Sequence, residues 1–230
     1  MDKKEIVRRM FDDISPKYDF LNHFLSFGID RIWRKKLVKL LRKPNPREIL
    51  DVATGTGDLA IAISKIGPRK ITGIDISEQM LEVGRQKLVK AGLDNLITFQ
   101  SADAEDIPFP DDSFDAISVA FGVRNFAHLE LGIREMRRVL RPGGWMYILE
   151  FSHPVSFPMK QLYHLYSRFF IPVMGKMISG NSQAYSYLPE SVAAFPSGKK
   201  LVEIIEQQGL KKVSCIPLSM GIASIYYGQK

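Results

Sequence analysis

The residues that could do chemistry begin with two glycines in a turn and an acid twenty positions after the first glycine. Gly55 and Gly57 lie in the turn ATGTG at 53–57, between an apolar run and a helical pattern. Glycines let the backbone turn tightly and let a ligand approach the main chain where a Cβ would clash. Asp75 ends the next apolar run, where a carboxylate can accept hydrogen bonds from a ribose diol. The spacing predicts an adenosine-containing cofactor but does not identify it, since Gly55-x-Gly57-x-x-Ala60 also fits the NAD fingerprint.

A second polar position follows the next apolar run, at Asp103 and Ala104. An acid directly after a strand can accept a hydrogen bond from an adenine amino group, and the N–H of Ala104 can donate to a ring nitrogen. An aspartate after a strand also commonly caps a helix. The residues alone leave both roles open for Asp103.

The elements that must position these residues are strands alternating with helices. Apolar runs predict strands at 49–52, 71–76, 96–100, 114–121 and 145–151. Helical patterns cover 59–66, 77–89 and 131–140. Five strand–helix units in sequence imply a parallel sheet with helices on both faces. Ligands bind outside the carboxyl ends of such strands, so we expect convergence of the loops at 54–58, 75–77, 103–105, 121–125 and 150–154.

The C-terminal part predicts a helix at 197–208 and two strands, at 211–218 and 224–227. Only residues 219–223 separate the two strands, which forces a hairpin and an antiparallel last strand. The predicted fold is therefore α/β, a doubly wound, mostly parallel sheet of seven strands with an antiparallel last strand.

Two flanking regions complete the predicted organisation. Residues 1–47 predict a helical cap, and 152–190 predict a cover inserted between the core at 48–151 and the C-terminal part at 191–230. Residues 152–182 carry no acid, three Lys or Arg and many aromatics. Two interpretations stay open for this cover, a packed helical hairpin or a lid that contacts lipid or a prenyl chain.

The net charge of +7 is concentrated near the N-terminus. Residues 1–47 hold 13 Lys and Arg against 6 Asp and Glu, while the charges of the remaining chain cancel. This region is either a solvated basic face or a surface attracted to anionic lipid. A single cysteine, Cys215, suits a reducing cytosol, and neither a signal-peptide core nor an apolar run of ~20 residues is present. We predict a cytoplasmic protein, bound at most peripherally to the inner face of the membrane.

Motifs spread over nearly the whole chain resemble one family, the ubiquinone/menaquinone biosynthesis C-methyltransferases, which have the class I S-adenosylmethionine-dependent methyltransferase fold. The motifs are FDDI at 11–14 with YD at 18–19, LDVATGTGD at 50–58, ADAE at 102–105, PF at 108–109, SFD at 113–115, FGVRN at 121–125, REM at 134–136, VLRPGG at 139–144, LEFS at 149–152 and YSYL at 185–188.

The resemblance implies transfer of a methyl group from S-adenosyl-L-methionine to a ring carbon of a prenylated quinol. The substrate is demethylmenaquinol in one branch of the family and a methoxy-polyprenyl-benzoquinol in the other, and overall likeness favours the first. No metal is implied, and a homodimer is compatible with the sequence. The cofactor-binding residues that carry over are Asp51, Gly55, Thr56, Gly57, Asp75, Asp103, Ala104 and Ala120. At Ala120 some members have serine, so only a backbone contact is expected there.

Candidates for catalysis lie in the loops after the strands and in the two covers. We hypothesise that Arg124 and Asn125 orient or stabilise the phenolate of the quinol, because their loop follows the fourth strand. His153, Tyr18 and Tyr187 are secondary candidates, with packing or surface positions as the alternative for each.

Three other functions compete with this interpretation. A nicotinamide-dependent dehydrogenase would explain Gly55, Gly57 and Asp75, but not the turn at Asp103 or the terminal hairpin. A nucleic-acid methyltransferase would explain the basic N-terminus, but the fourth strand ends without Asp/Asn-Pro-Pro-Tyr and Cys215 comes too late to attack cytosine. We therefore predict no nucleic-acid partner. The third alternative is a non-catalytic scaffold that binds S-adenosylmethionine.

Overall fold

The computed structural model describes residues 2–154, 157, 161, 165 and 182–230, without the side chains of 182–186. Seven strands form one sheet. They are β1 (Glu48–Val52), β2 (Lys70–Asp75), β3 (Ile97–Ser101), β4 (Phe114–Ala120), β5 (Leu140–Phe151), β6 (Lys211–Leu218) and β7 (Ala223–Gln229). Their order is β3-β2-β1-β4-β5-β7-β6.

The strand directions confirm the predicted sheet. β1 pairs in parallel with β2 and β4, β2 with β3, and β4 with β5. β7 pairs antiparallel with β5 on one side and with β6 on the other. The predicted hairpin places the last strand inside the sheet, between β5 and β6. The strand order changes direction at β1 and β4, which is where such sheets bind ligands.

Helices flank the strands along the chain. Those within the described residues are α1 (Lys3–Ile14), α2 (Tyr18–Leu25), α3 (Ile29–Leu41), α4 (Asp58–Ser64), α5 (Glu78–Ala91), α6 (Leu129–Val139), α7 (Ser182–Ala194) and α8 (Lys199–Gln207). The predicted start of α5 is confirmed, because the Ser77 hydroxyl accepts a hydrogen bond from the N–H of Met80 at 3.2 Å. Gly92 ends this helix with a φ of 64°.

Alternating side chains of the strands build a core on each face of the sheet. On one face Leu50 packs in a cluster with Ile133 of α6 and Leu201 of α8. On the other face Ile49 packs in a cluster with Leu37 of α3 and residues of α4 and α5. Burying each such side chain contributes roughly 1.5–3 kcal/mol. The two cores hold the strand ends, and the loops that follow them, in fixed positions.

The predicted alternation of strand and helix is wrong at one place. Residues 102–113 connect β3 to β4 without a helix and contain only an isolated bridge between Asp103 and Asp106. Pro108 and Pro110 explain this, since proline removes a backbone donor and disfavours a helical residue before it. β5 also begins earlier than predicted, at Leu140, which pairs with Phe114 ahead of a register shift.

The N-terminal region forms the predicted helices over the carboxyl ends of the strands. A short 3₁₀ turn that includes Pro16 separates α1 from α2. A small core of Ile14, Leu21 and Leu25 holds these helices together, and Leu188 of α7 packs against it. Most of the predicted cover at 152–190 lies outside the described residues. The division into cap, core, cover and C-terminal part stays a prediction.

Candidate functional site

A cleft lies at the carboxyl ends of the central strands, under the N-terminal helices. It encloses about 700 Å³ of empty space, its open mouth included. Its lining comes from four loops after strands and from the cap. The lining residues are Lys4, Val7, Phe11, Tyr18, Ala53, Gly55, Ile74, Asp75, Ile76, Met80, Ala102, Asp103, Ala104, Glu105, Ala120, Phe121, Gly122, Asn125, Phe126 and Ala127. The predicted convergence of the loops after β1, β2, β3 and β4 is thus confirmed.

Glycine occupies the two positions of the turn for different structural reasons. Gly55 has a φ of +56°, and a Cβ there would meet no protein atom within 4 Å, so the turn is open at this position. Gly57 has a φ of +82°, and a Cβ there would lie 2.4 Å from the ring of Phe99. Gly55 therefore leaves room beside the cleft for a ligand, whereas Gly57 is required by close packing behind the turn.

Asp75 links the turn to the end of β2. One of its carboxylate oxygens accepts a hydrogen bond from the N–H of Gly55 at 2.8 Å, and the other accepts one from the N–H of Ser77 at 2.9 Å. Burial raises its pKa, while these backbone N–H groups lower it. A carboxylate oxygen has more than one lone pair, so Asp75 can still accept hydrogen bonds from a ligand hydroxyl in the cleft.

Asp51 lies under the turn and is not among the residues that line the cleft. Its carboxylate accepts hydrogen bonds from the hydroxyls of Thr54 at 2.7 Å and Ser118 at 2.6 Å. Burial raises the pKa of Asp51 to about 6 against the effect of these two hydroxyls. The side chain thus fixes the turn to β4, and a direct contact with cofactor stays a prediction.

Thr56 lies behind the cleft and joins the turn to the cap. Its hydroxyl donates a hydrogen bond to the carboxylate of Asp19 in α2 at 2.5 Å. Lys87 of α5 lies 2.6 Å from Asp19 and 2.5 Å from Asp58. The side chain of Thr56 therefore supports the cap, and its predicted contact with the cofactor stays a prediction.

His23, Asp30 and Asp58 continue this charged network, with ligand atoms within 4.8 Å of one another. Such spacing could hold a metal ion, but the guanidinium of Arg34 contacts Asp30 and Lys87 pairs with Asp58. These two cations neutralise the carboxylates. The group therefore acts as an ion network that fixes the cap to the core.

Asp103 lies at the end of β3 and lines the cleft together with Ala104. Its carboxylate accepts a hydrogen bond from the N–H of Glu105 at 2.8 Å and lies 2.6 Å from the ammonium of Lys4 in α1. Lys4 also lies 3.0 Å from the carboxylate of Glu105. The predicted adenine position is thus covered by α1, and Asp103 makes a turn contact without capping a helix.

The end of β4 is built from backbone that few residues adopt. Phe121 has a φ of 60° and Ala53, at the end of β1, a φ of 50°. A Cβ on Gly122 would lie 2.5 Å from the Cβ of Ala53, so glycine is required for the two loops to meet. Strained non-glycine residues of this kind cluster at functional sites. Ala120 lines the cleft beside them.

Three of the five predicted catalytic residues meet at the cleft. Tyr18 and Asn125 line it, and the hydroxyl of Tyr187 donates a hydrogen bond to the side-chain oxygen of Asn125 at 3.1 Å. Burial raises the pKa of Tyr18 and of Tyr187, while the positive charge of Arg124 lowers both. Both phenols therefore stay protonated at neutral pH and can donate hydrogen bonds.

Arg124 and His153 do not line the cleft. The guanidinium of Arg124 is buried, lies 2.9 Å from the carboxylate of Glu150, and also donates to the carbonyl of Phe121. His153 is exposed, and its Nε2 lies 2.9 Å from the carbonyl oxygen of Val192. Arg124 can act on the cleft through its charge, and it supports the strained Phe121. A catalytic role for either residue stays a prediction.

The arrangement fits an adenosine-containing cofactor. Gly55 leaves the turn open, and the acids at the ends of β2 and β3 offer acceptors for a ribose and an adenine amino group. Hydroxyl and amide donors lie on the side of the cleft formed by Tyr18 and Asn125. The lining of this cleft therefore offers acceptors for a nucleoside together with hydrogen-bond donors for a second organic group.

Sequence reasoning missed two lysines that belong to this site. Lys4 lies over the end of β3 and pairs with residues about a hundred positions away. Lys87 joins the carboxylates of Asp19 and Asp58, which come from the cap and from α4. The sequence shows both lysines only as charges, because a lysine gives no sign of its partner along the chain.

Comparisons with known proteins agree with this geometry. The model of the ubiE/COQ5 methyltransferase family matches residues 1–230. A demethylmenaquinone methyltransferase of Bacteroides fragilis is 48% identical over 99% of this chain and 94% of its own length. A ubiquinone/menaquinone biosynthesis C-methyltransferase UbiE of Geotalea daltonii is 49% identical over 100% of this chain and 98% of its own.

Solved structures that are less similar in sequence share the fold. A SAM-dependent methyltransferase of Aquifex aeolicus has a TM-score of 0.59 at 23% identity, covering 83% of this chain and 87% of its own. The [4+2]-cyclase SpnF has a TM-score of 0.63 at 20% identity, covering 100% and 97%. Since a cyclase is among them, this likeness supports the fold, and the reaction class comes from the family match. The predictions of the fold and of a methyltransferase are confirmed, and the chain belongs to the ubiE/COQ5 methyltransferase family.

Proposed function

We propose that this protein transfers a methyl group to a ring carbon of demethylmenaquinol, as a step in menaquinone biosynthesis. S-adenosyl-L-methionine is the methyl donor. The observation that supports the proposal is the lining of the cleft, which includes the carboxylates of Asp75 and Asp103 and the open turn at Gly55 together with hydroxyl and amide donors. The relative in Bacteroides fragilis is named a demethylmenaquinone methyltransferase, which supports this branch.

The donor is held by the loops after β1, β2 and β3. Asp75 accepts hydrogen bonds from the ribose hydroxyls, and Asp103 accepts one from the adenine amino group while the N–H of Ala104 donates to the ring. The open turn at Gly55 accommodates the remainder of the donor. When bound, the donor supplies an electrophilic methyl carbon on a positively charged sulfur.

The quinol end of the cleft is formed by Tyr18, Asn125 and Tyr187. A quinol becomes nucleophilic at carbon when a ring hydroxyl loses its proton, because negative charge then spreads to the neighbouring ring carbons. Protonated phenols and a side-chain amide can stabilise this phenolate by donating hydrogen bonds. The buried positive charge of Arg124 stabilises the negative charge of this phenolate without direct contact.

The electron balance of the step is simple. The ring carbon forms a bond to the methyl carbon as the bond from methyl carbon to sulfur breaks, and that electron pair stays on the sulfur. The ring carbon then loses its hydrogen as a proton, which restores the aromatic ring as a phenolate. The phenolate oxygen takes up a proton to give the methylated quinol, so the net reaction releases one proton. The chain must therefore align the two partners, exclude water and provide a path for the proton that is released.

The test is a single-turnover assay with labelled S-adenosylmethionine and reduced demethylmenaquinone in detergent, with the oxidised quinone as control. We expect labelled product from the quinol and none from the quinone. A 2-methoxy-6-polyprenyl-1,4-benzoquinol, measured in parallel, tests the ubiquinone branch. Binding of S-adenosylmethionine without product from either quinol would identify a non-catalytic scaffold. Binding of NADH without binding of S-adenosylmethionine would identify a dehydrogenase.

The surroundings of the reaction follow from the substrate. A polyprenyl chain dissolves in the bilayer, so we place the protein in the cytoplasm and against the inner face of the membrane while it works. Among the described residues no helix is long and apolar enough to cross a membrane. A surface contact is therefore the kind of membrane association that we propose.

A further inference from the structure

An exposed apolar surface lies at the corner where α2 meets α3, and its side chains are not among the residues that line the cleft. Ten large hydrophobic side chains are exposed among the described residues, and five of them fall between Phe20 and Ile32. Phe20 is 60% exposed and Ile32 is 63% exposed. Phe20 also stacks on Phe24, with ring centroids 5.9 Å apart. Single exposed hydrophobic residues are ordinary, but such a group on one short segment marks an interaction surface.

Lysines surround this apolar group on the outer face of α3. Lys35, Lys36 and Lys39 follow Ile32 at helical spacings of three, four and seven residues, so they share its face. All three are exposed, and none has an ion-pair partner in the part of the chain that the structure describes. The outer face of α3 is therefore positively charged with an isoleucine among the lysines.

The acids of the same segment are directed inward. Asp30 is buried and contacts Arg34 and His23. Asp19 pairs with Thr56 and Lys87 of the core. The fold thus separates the charges, leaving cations beside exposed aromatic and aliphatic groups.

We propose that this corner, defined by Phe20, Phe24, Ile29, Ile32 and the lysines of α3, docks the protein on an anionic bilayer surface. Apolar side chains enter the boundary between headgroups and acyl chains, while lysines contact lipid phosphates. Two copies of a basic face repel each other, which disfavours a symmetric dimer here. Tyr18, the first residue of α2, lines the cleft, so docking brings the cleft towards the membrane. This inference deepens the proposed function by naming a contact surface, and its residues lie outside the cleft.

The experiment is vesicle flotation of the full chain, with vesicles of phosphatidylcholine alone or mixed with phosphatidylglycerol and with no quinol present. We expect the wild type to float only with the anionic vesicles. Phe20→Ser with Ile32→Ser should lower the partition coefficient at least about tenfold. Lys35→Gln with Lys36→Gln and Lys39→Gln should lower it on the order of a hundredfold.

Matched controls elsewhere in the fold separate the effect of this surface from the effect of any exposed apolar side chain or any lysine. Val89→Ser removes a side chain that is 67% exposed on α5. Lys65→Gln with Lys70→Gln and Lys90→Gln removes three other exposed lysines. We expect both control variants to float like the wild type. Melting curves of each variant should match the wild type, which shows that the protein is folded.

Three results would overturn the proposal. The wild type does not bind anionic vesicles, the apolar variant binds them as the wild type does, or the control variants lose as much vesicle binding as the corner variants. A dimer in sedimentation velocity that Phe20→Ser with Ile32→Ser abolishes, without vesicle binding, would assign the surface to a second copy. RNA binding lost in the lysine variant, again without vesicle binding, would assign it to nucleic acid. Turnover of quinol in detergent should stay unchanged in the corner variants, so failure of docking is distinguishable from failure of the proposed reaction.

Discussion

The ammonium of Lys4 in the first helix lies 2.6 Å from the carboxylate of Asp103 at the end of β3, and 3.0 Å from that of Glu105. Burial lowers the pKa of Lys4, but its hydrogen bonds to the two carboxylates raise it by more. The carboxylate of Glu105 also accepts hydrogen bonds from the N–H groups of Ala127 and His128. One lysine thus holds α1 against two of the loops that form the cleft.

Lys4→Ala should therefore release the bound methyl donor faster. Without the ammonium, α1 loses its tie to the end of β3 and opens more often over the adenine end of the cleft. A partly exposed ion pair contributes up to about 1 kcal/mol, so we expect an increase in the dissociation rate on the order of fivefold. Stopped-flow displacement of a labelled S-adenosylmethionine analogue measures this rate, with Lys90→Ala as the control. An unchanged rate would show that α1 does not control exchange.

Asp75→Asn should weaken binding of S-adenosylmethionine about 10- to 100-fold, as expected for lost hydrogen bonds to a charged group. In the wild type the carboxylate accepts hydrogen bonds from the N–H groups of Gly55 and Ser77. In the variant the amide NH₂ would face one of these two donors, which would then lose its acceptor. Titration calorimetry measures the affinity. Asp94→Asn, on an exposed turn, serves as the control. Equal affinities for the two variants would remove Asp75 from the cofactor site.

Tyr187→Phe should lower kcat about tenfold while leaving the affinity for S-adenosylmethionine unchanged. The variant loses the hydroxyl that donates to Asn125, so the amide is less well held at the quinol end of the cleft. Single-turnover rates and calorimetry on the same samples separate the two effects. Tyr227→Phe on β7 is the matched control. A loss of cofactor affinity equal to the loss of rate would place Tyr187 at the donor end instead.

The sequence allowed prediction of the part of the site that depends on strand ends. Gly55, Asp75 and Asp103 each follow a strand, and parallel strands must bring their carboxyl ends to one edge. Their meeting in a single cleft follows from the strand pattern and the rule for such sheets.

The positions of charged side chains were beyond this kind of prediction. The sequence places Arg124 on the loop after β4, but its burial against Glu150 depends on the end of β5, which the loop does not specify. The motif that contains Asp51 predicts a cofactor contact, but it does not reveal that strand pairing turns the carboxylate towards Ser118 of β4. Whether a polar side chain faces a ligand or the interior is decided by tertiary packing.

Arg124→Met should reduce the free energy of unfolding by about 3–5 kcal/mol, because Glu150 would stay buried without its cation. Replacing both residues, Arg124→Met with Glu150→Met, should recover most of this loss, since no buried charge remains. Denaturant unfolding measures both variants. A single variant as stable as the wild type would contradict the buried pair. The stable double variant also tests catalysis, since slow methyl transfer with intact donor binding would assign the Arg124 charge a role in the reaction.

Asp51 makes the protein less stable as the pH rises, which is the opposite of the usual effect of an aspartate. Burial raises its pKa from 3.8 to about 6 in the folded protein, although Ser118 and Thr54 donate hydrogen bonds to it. The folded state then binds more protons than the unfolded state between these two values. The stability that Asp51 contributes is therefore fully present below pH 3.8 and is lost as the pH rises through about 6.

Asp51→Asn should remove this dependence, because an amide does not ionise. The free energy of unfolding of the variant, relative to the wild type, should rise by up to about 3 kcal/mol between about pH 4 and about pH 7. Urea unfolding at a series of pH values measures the difference, and the other carboxylates cancel because both proteins contain them. A difference that stays constant with pH would mean that Asp51 titrates at the same pH in both states, and therefore that its carboxylate is not buried beneath the turn.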